Sequence, residues 1–500
     1  MSVIHSIKST ILLVWVGLLT VAQLHAKDID VSNLNDLINN LNKSNVSYRI
    51  NSSIDLKGKE IQLPIGSTVN IFKGKLLNGI LVGNETILQA DSNLSIGVVI
   101  RGNWKASVIN DLWFDDKYLE DNAIMSNINS LQSDIDKNVI HLYRDYLVDI
   151  DSKSYSAFVL RSNTELYIHS SIKIKPNNYA KYGIIDITSK KNVSIQGGLI
   201  VGDVGKHVYI ENSTSEWGMG INVVASDKVT INDCTISFCT GDGIYLGGYS
   251  ESNLSVFDNA CHDVTINHVI CDRNRRQGLS IVHAKDIIVI DCLISNTGQV
   301  EHVNPGCGID IEPNISKNRN MAVSNVQIIG CTFEKNKGQD IATAHYVNES
   351  SFPSIKDVFI KNSKMNGDVS IRCSSVLIEK SDFPRVCIIV SDQNIENVVI
   401  ENCTISRGLY IRSAIKDHDH PQNKGVLKNV TIRRCNFQNI ERNNGKAIIA
   451  LSGDISRIKK MSFIDCYFND QFKKYNNRMC NRSINGVCLF RNCTYSSHIH

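Results

Sequence analysis

A right-handed parallel β-helix is the fold this sequence predicts, and two recurring phrases and one absence predict it. The first phrase is a Lys, Asn or Asp followed by a short Val/Ile-x-Ile strand, as in Asp227-Lys228-Val229-Thr230-Ile231, Asn325-Val326-Gln327-Ile328, Asn397-Val398-Val399-Ile400 and Asn429-Val430-Thr431-Ile432. The second follows it closely: Asp233-Cys234-Thr235-Ile236, Asp291-Cys292-Leu293-Ile294, Gly330-Cys331-Thr332-Phe333, Asn402-Cys403-Thr404-Ile405, Arg434-Cys435-Asn436-Phe437, Asp465-Cys466-Tyr467-Phe468 and Asn492-Cys493-Thr494-Tyr495. Apolar residues alternate with polar ones in these units, so each short strand has one buried face, and helical spacing is absent. Units returning every ~20–40 residues describe a solenoid whose turns bury their faces only against neighbouring turns. Strands of successive turns then lie parallel, ~4.8 Å apart, and the crossover rule makes the winding right-handed. Stacking would align the Asn and Cys positions as internal ladders at the turns.

From the N-terminus, Lys8, the apolar run Ile11–Leu19 and the small residue Ala26 read as a secretory signal over residues 1–26. The run is short for a ~30 Å hydrocarbon core, so no membrane span is expected and the chain is expected outside the cytoplasm. Residues 27–150 are expected to form an N-terminal cap and early turns. Asp30–Leu41 is expected as the capping helix and Asn122–Asp136 as a helical insertion, on the apolar spacings Val31/Leu34/Leu37/Ile38/Leu41 and Ile124/Ile128/Leu131/Ile135. Residues 151–500 carry the main β-helix.

A net charge of +3 with 21% charged residues lacks the basic excess that marks a nucleic-acid partner. Fifteen cysteines in an exported chain raise the expectation of disulfides, yet their recurrence at one place in the repeat reads more simply as small buried thiols packed as hydrophobes. No Cys-x-x-Cys or Cys/His grouping suggests a metal. Asp417-His418-Asp419-His420 and His498-Ile499-His500 read as exposed segments.

Four strands aligned on their glycines define a candidate site: Gly220-Ile221-Asn222, Gly243-Ile244-Tyr245, Gly278-Leu279-Ser280 and Gly308-Ile309-Asp310. With Ile and Leu inward, Asn222, Tyr245, Ser280 and Asp310 share the outer face, and Glu312 joins it two residues on. Asp242, Arg275, Arg276 and Gln277 sit beside these glycines, with His283 and Trp217 near. Asp310 and Glu312 would have Cα atoms ~6.5–7 Å apart, and Asp242 and Asp310 would lie two turns, ~10 Å, apart. Carboxylates ~6.5–9.5 Å apart suit inverting glycosidases, and crowding raises the pKa of one of them as a general acid requires. Arg275 or Arg276 would take the carboxylate of an acidic sugar, and Trp217 would stack on a ring. The bland alternative is that these Asp and Glu are solvated residues on strands, and that the glycines mark tight packing and not the approach of a ligand.

The early strands, the helical insertion and the Asn-Val-x-Ile/Asn-Cys-x-Ile turns resemble the pectin-lyase-like superfamily of polygalacturonase-type hydrolases, polysaccharide lyases, uronate epimerases and phage tailspikes. The resemblance covers most of the chain after residue 26 and implies a polysaccharide partner. Polygalacturonase-type hydrolases carry Asn-Thr-Asp, Gly-Asp-Asp, Gly-His-Gly and Arg-Ile-Lys. Here Gly241-Asp242-Gly243 keeps one aspartate of the second, and Arg276-Gln277-Gly278 has Gln277 where the third has histidine. Gly218–Asn222, where the first would fall, has no aspartate, and Arg-Ile-Lys is missing. The resemblance therefore passes a catalytic role to Asp242 alone. Three readings stay open: a hydrolase using Asp242 with Asp310 or Glu312 and no cofactor; a lyase or epimerase using Arg275, Arg276, Tyr245 or His283, with Ca²⁺ held by carboxylates; and a solenoid that only binds glycans or other chains.

Overall fold

The computed structural model describes residues 27–495, apart from 91–94, 250–254, 317–318, 345–353, 392, 414–424, 439–447, 470–479 and 481–486. The expected signal segment 1–26, the 417–420 segment and the terminal 498–500 triplet lie outside the described residues. The rest is a right-handed parallel β-helix. Three ladders run its length. Face 2 is a 14-stranded parallel sheet from Val108–Asn110 to Cys488–Arg491. Faces 1 and 3 join into one 22-stranded sheet, because strands such as Asp382–Val390 and Thr404–Ser413 pass through the corner between them. One coil reads face 1 Trp217–Val224, face 2 Asp227–Asn232, face 3 Thr235–Ser237.

The two sequence phrases are the two ends of face 2. In the first phrase the Asn, Asp or Lys before the buried Val-x-Ile adopts a left-handed backbone: Asn192, Lys228, Asp263, Asp286, Asn325, Asp357, Asn397 and Asn429 have φ between 51° and 62°. Asn and Asp are among the few non-glycine residues that visit that region readily. Their side chains stack from coil to coil, Asn192 Nδ2 donating to Asn163 Oδ1 at 2.9 Å and Asn325 Nδ2 to Asp286 Oδ1 at 2.6 Å. This ladder lies on the outside of the solenoid, which corrects the expectation that it is internal: the left-handed residue turns its side chain away from the core.

The second phrase is the corner from face 2 to face 3. Its first residue is again left-handed, for example Asp233, Asp291, Asn402 and Asn492. Its second residue points inward, and the Cys at that place is buried in six of its seven occurrences. Each thiol reaches backbone carbonyls of its own and the preceding coil, as Cys435 Sγ does to Arg433 O at 3.3 Å and Ile400 O at 3.5 Å. Among the described residues the corner cysteines form no disulfide, so their thiols act as small core residues that also reach carbonyls already bonded along the ladder.

Residues 27–105 precede the ladders as a seven-stranded parallel sheet. The capping helix is shorter than expected, Leu34–Asn39, because Val31 ends a strand paired with Val46–Ile50; Asn33 caps it by accepting from the Asp36 N–H at 3.0 Å. The insertion forms Asp121–Leu131 and buries Ile124, Met125, Ile128 and Leu131. Ile135, expected on the same stripe, lies beyond the helix and is exposed. Asn127 from this helix covers the edge of Ile96–Lys105, donating to Val98 O at 3.0 Å and accepting from Ile100 N at 2.7 Å. Among the described residues, no helix is long and apolar enough to cross a membrane.

Candidate functional site

Strand register brings the expected outer row together. On face 1, Asp186 pairs with Asn222, Asn222 with Tyr245, Tyr245 with Ser280, and Ser280 with Asp310. The glycines that framed the alignment face inward. A Cβ on Gly278 would meet Ile294 Cγ2 at 2.3 Å and Gly308 O at 2.7 Å, and one on Gly243 would meet Gly278 O at 2.7 Å. They serve close packing behind the row, which settles what the sequence left open.

Asp242 and Gln277 begin their strands and are paired in register. Both turn to the outer face and both are fully buried. Asp242 Oδ2 accepts from Ser280 Oγ at 2.7 Å and from Arg276 Nη1 at 3.2 Å. Gln277 Nε2 donates to Asp310 Oδ2 at 2.7 Å, and its Oε1 accepts from the Cys307 N–H at 3.0 Å. Arg276 is the hub. Besides Asp242 its guanidinium faces Glu312 Oε2 at 3.7 Å from Nη2 and Glu216 Oε2 at 3.8 Å from Nε, and it lies 5.7 Å from the Trp217 ring.

Burial pushes the Asp242 carboxyl up to about 6, held from rising further by Arg276 and Ser280. Asp310 is raised more strongly, first by burial and then by the Glu312 charge beside it. Its Oδ1 is buried and receives no hydrogen bond. A buried carboxyl short of a donor, with a second carboxylate beside it, keeps its proton more readily than a free one. Glu312 is the open member, its side chain 26% exposed, whereas Asp242 lies wholly beneath Arg276.

Trp217 and Tyr245 complete the wall, their rings edge to face at 6.5 Å, and the Tyr245 ring lies across Gly247. Two expected residues are placed elsewhere. Arg275 turns to the 202–216 loop, donating to Thr214 O at 2.7 Å and stacking on Tyr209 at 4.5 Å. His283 is buried at the next corner, its Nδ1 accepting from the Ala322 N–H at 3.1 Å and its ring parallel to Phe257; burial lowers its pKa and keeps it neutral. The sequence reading missed Glu216, which sits in a loop outside any repeat, and Asp186, which heads the outer row one coil earlier than the glycine alignment reached.

No family model matches the chain. It is 32% identical over 229 residues to the SPbeta prophage-derived uncharacterized protein YorA of Bacillus subtilis (strain 168), covering 44% of this chain and 38% of YorA. It is also 32% identical over 144 residues to the uncharacterized protein YclG of the same strain, covering 28% of this chain and 24% of YclG. The chain thus spans well under half the length of the curated relatives it matches. Among solved structures it is similar to the tailspike protein gp49 of Acinetobacter baumannii bacteriophage Fri1, a capsular polysaccharide depolymerase, with 13% identity and TM-score 0.38 over 95% of this chain and 62% of that one. It is similar as well to the A-module of the mannuronan C-5 epimerase AlgE4 of Azotobacter vinelandii (11%, 0.44, 76% and 96%) and to the Streptococcus pneumoniae surface adhesin PfbA (13%, 0.38, 83% and 91%).

Proposed function

We propose that this protein is an exported hydrolase that cleaves a polysaccharide laid along face 1. Asp310, whose pKa burial raises, supplies a proton that passes by way of the solvent-facing Glu312 to the glycosidic oxygen. As that C–O bond breaks, a water attacks the anomeric carbon from the opposite side and gives its proton to Asp242. Solvent then returns a proton to the Asp310–Glu312 pair and removes one from Asp242. Asp242 lies beneath Arg276, so the route to it opens as Arg276 turns toward the incoming ligand. Trp217 and Tyr245 line the approach.

One observation carries this reading. A single guanidinium spans Asp242 and Glu312, at 3.2 Å from Nη1 and 3.7 Å from Nη2. That bounds the separation of the two carboxyl oxygens at about 9 Å, a limit compatible with the ~6.5–9.5 Å that leaves room for a water between acid and base. The environments also divide the labour, with Asp310 held protonated by burial and by Glu312, and Asp242 ionised above about 6. The same carboxylates converge on Arg276, which supplies the positive charge a bound Ca²⁺ would bring. A lyase or epimerase is the second reading, favoured by Arg276 over the Trp217 ring that meets Tyr245, where it would neutralise a uronate.

The test is a panel of acidic and neutral polysaccharides, read for reducing ends and for the ultraviolet absorbance of unsaturated uronates, with and without calcium. New reducing ends without that absorbance are expected, falling ~10²-fold or more in Asp310→Asn and Glu312→Gln. Calcium-dependent absorbance would turn the assignment to a lyase. Undiminished cleavage in both variants would remove these residues from the chemistry.

A further inference from the structure

The hydrolysis proposed above leaves a neighbouring cavity unused. It has a volume of about 410 Å³ and lies on face 1 one to three coils before the carboxylate cluster. Its walls are aromatic: Tyr155, Trp217 and Tyr249 are 40–49% exposed, and Tyr245 closes the side toward Arg276. Single exposed aromatics are ordinary on a protein surface, but four converging on one concavity are not accounted for by the core, which none of them enters. Apolar walls with few fixed polar groups are the usual make-up of a small-molecule site.

The floor supplies the fixed groups. Asp186 Oδ1 accepts from Asn222 Nδ2 at 2.6 Å and from Thr188 Oγ1 at 3.0 Å, and these bonds lock the carboxyl's orientation. Among the described residues, no donor reaches Asp186 Oδ2 or the Asn222 side-chain oxygen. The floor therefore presents acceptors waiting for donors. A pyranose fits this arrangement on both counts, since its ring faces carry C–H groups that lie against aromatic rings and its rim carries hydroxyls that donate. A uronate or sulfated sugar brings acceptors and a charge of the same sign as Asp186. Lys181, paired in register with Trp217, is the one cation among the lining residues and stands exposed at the rim.

The cavity is continuous with the carboxylate cluster. Trp217 touches both, lying 6.5 Å from Tyr245 and 5.7 Å from the Arg276 guanidinium. Asn222 on the floor and Ser280 under Asp242 occupy one register row, two coils apart, which is ~10 Å along the groove. We propose that this cavity is a binding subsite for an uncharged pyranose of the polysaccharide, gripped between Trp217, Tyr155 and Tyr249 and anchored by hydroxyl donation to Asp186 and Asn222. The assignment rests on face 1 being the glycan groove, and it names one residue class of the substrate.

Tryptophan fluorescence tests it directly, because Trp104 and Trp113 are buried and Trp217 is 40% exposed. The processed chain is titrated with methyl glycosides of glucose, galactose, mannose and N-acetylglucosamine, and with glucuronic and galacturonic acids, while acrylamide quenching is followed. At least one neutral glycoside is expected to shield Trp217 saturably. The shielding should vanish in Trp217→Phe and weaken at least tenfold in Asp186→Asn, and Tyr249→Ala provides a surface variant that spares the fold. Shielding by the uronic acids alone, or by no probe, would overturn the proposal. Repeating the titration in Glu312→Gln separates the two claims. Intact shielding with no turnover in any form of the protein defeats the hydrolase and spares the subsite, whereas turnover abolished by Glu312→Gln without shielding in either form defeats the subsite and spares the hydrolase.

Discussion

Asp242→Asn should change how stability depends on pH, and the size of the change follows from the site. The wild-type carboxyl titrates near 3.8 in an unfolded chain and near 6 in the fold, where burial opposes its charge. Each pH unit of difference is worth ~1.36 kcal/mol, so the fold gains about 3 kcal/mol from holding this proton. Because the folded value is the raised one, that gain is complete below about pH 4 and is lost as pH rises through about 6. At neutral pH the protein carries an ionised aspartate wholly out of water, offset in part by Arg276 at 3.2 Å and Ser280 at 2.7 Å. Asn keeps the shape and an oxygen for Ser280 but cannot ionise. The unfolding free energy of the variant minus that of the wild type should therefore rise by about 3 kcal/mol between pH 4 and pH 7. Urea denaturation followed by circular dichroism at pH 4, 5, 6 and 7 measures it. A difference that stays flat across this window, or that falls, would refute the argument that burial sets this titration.

Activity should show the matching profile. Turnover should rise as pH passes about 6 and Asp242 ionises, then fall on the alkaline side as Asp310, raised by burial, loses its proton; loss of the acid limb in Asp242→Asn, measured on residual turnover, assigns it. Gly278→Ala should cost ~1–3 kcal/mol, since its Cβ would stand 2.3 Å from Ile294 Cγ2, whereas Gly205→Ala, with nothing within 4 Å, should melt like the wild type. Iodoacetamide on the native protein should modify Cys387, Cys480, Cys488 and Cys493 before any of the eleven buried thiols, as peptide mass spectrometry would read; early labelling of Cys331 or Cys435 would contradict the packed corner.

The parts of the fold that were legible in the sequence are those where the backbone allows few residues. Asp233 and Asn402 stand at left-handed corners, and Cys234 and Cys403 follow because a small side chain must turn into the core there. Such positions recur once per coil and spell the repeat. Period two then carried the outer row Asn222–Tyr245–Ser280–Asp310 correctly. It could not carry Arg275 and His283, because neither sits within a regular strand: the first is drawn to Thr214 and Tyr209 across a loop, the second to Ala322 and Phe257 across a corner. Glu216 was invisible for the same reason, and Asp186 because its strand has Ile184 and Ile185 after Gly183 and breaks the glycine phasing.

That division between constant and variable parts extends to the corners of the solenoid. From residue 191 onward, each described corner between faces 2 and 3 has two residues, Gly197-Gly198 through Asn492-Cys493. The corners on either side of face 1 vary. They lengthen beside the candidate site, where residues 202–216 bring Glu216 and Tyr209, 248–260 bring Tyr249 and Phe257, and 296–308 and 312–322 flank Asp310 and Glu312, and they lengthen again in later coils, between Thr343 and Ile355, Ser413 and Leu427, and Asn469 and Cys488. A solenoid tolerates insertions at a corner because loop closure costs grow slowly with length while the ladders on both sides stay in register. A uniform stack needs none of them. Those beside the candidate site bring Glu216 to Arg276 and Tyr249 to the aromatic cavity. Long corners recur in later coils, so the proposed glycan groove rests on Asp242, Asp310 and Glu312 and on the aromatic cavity beside them.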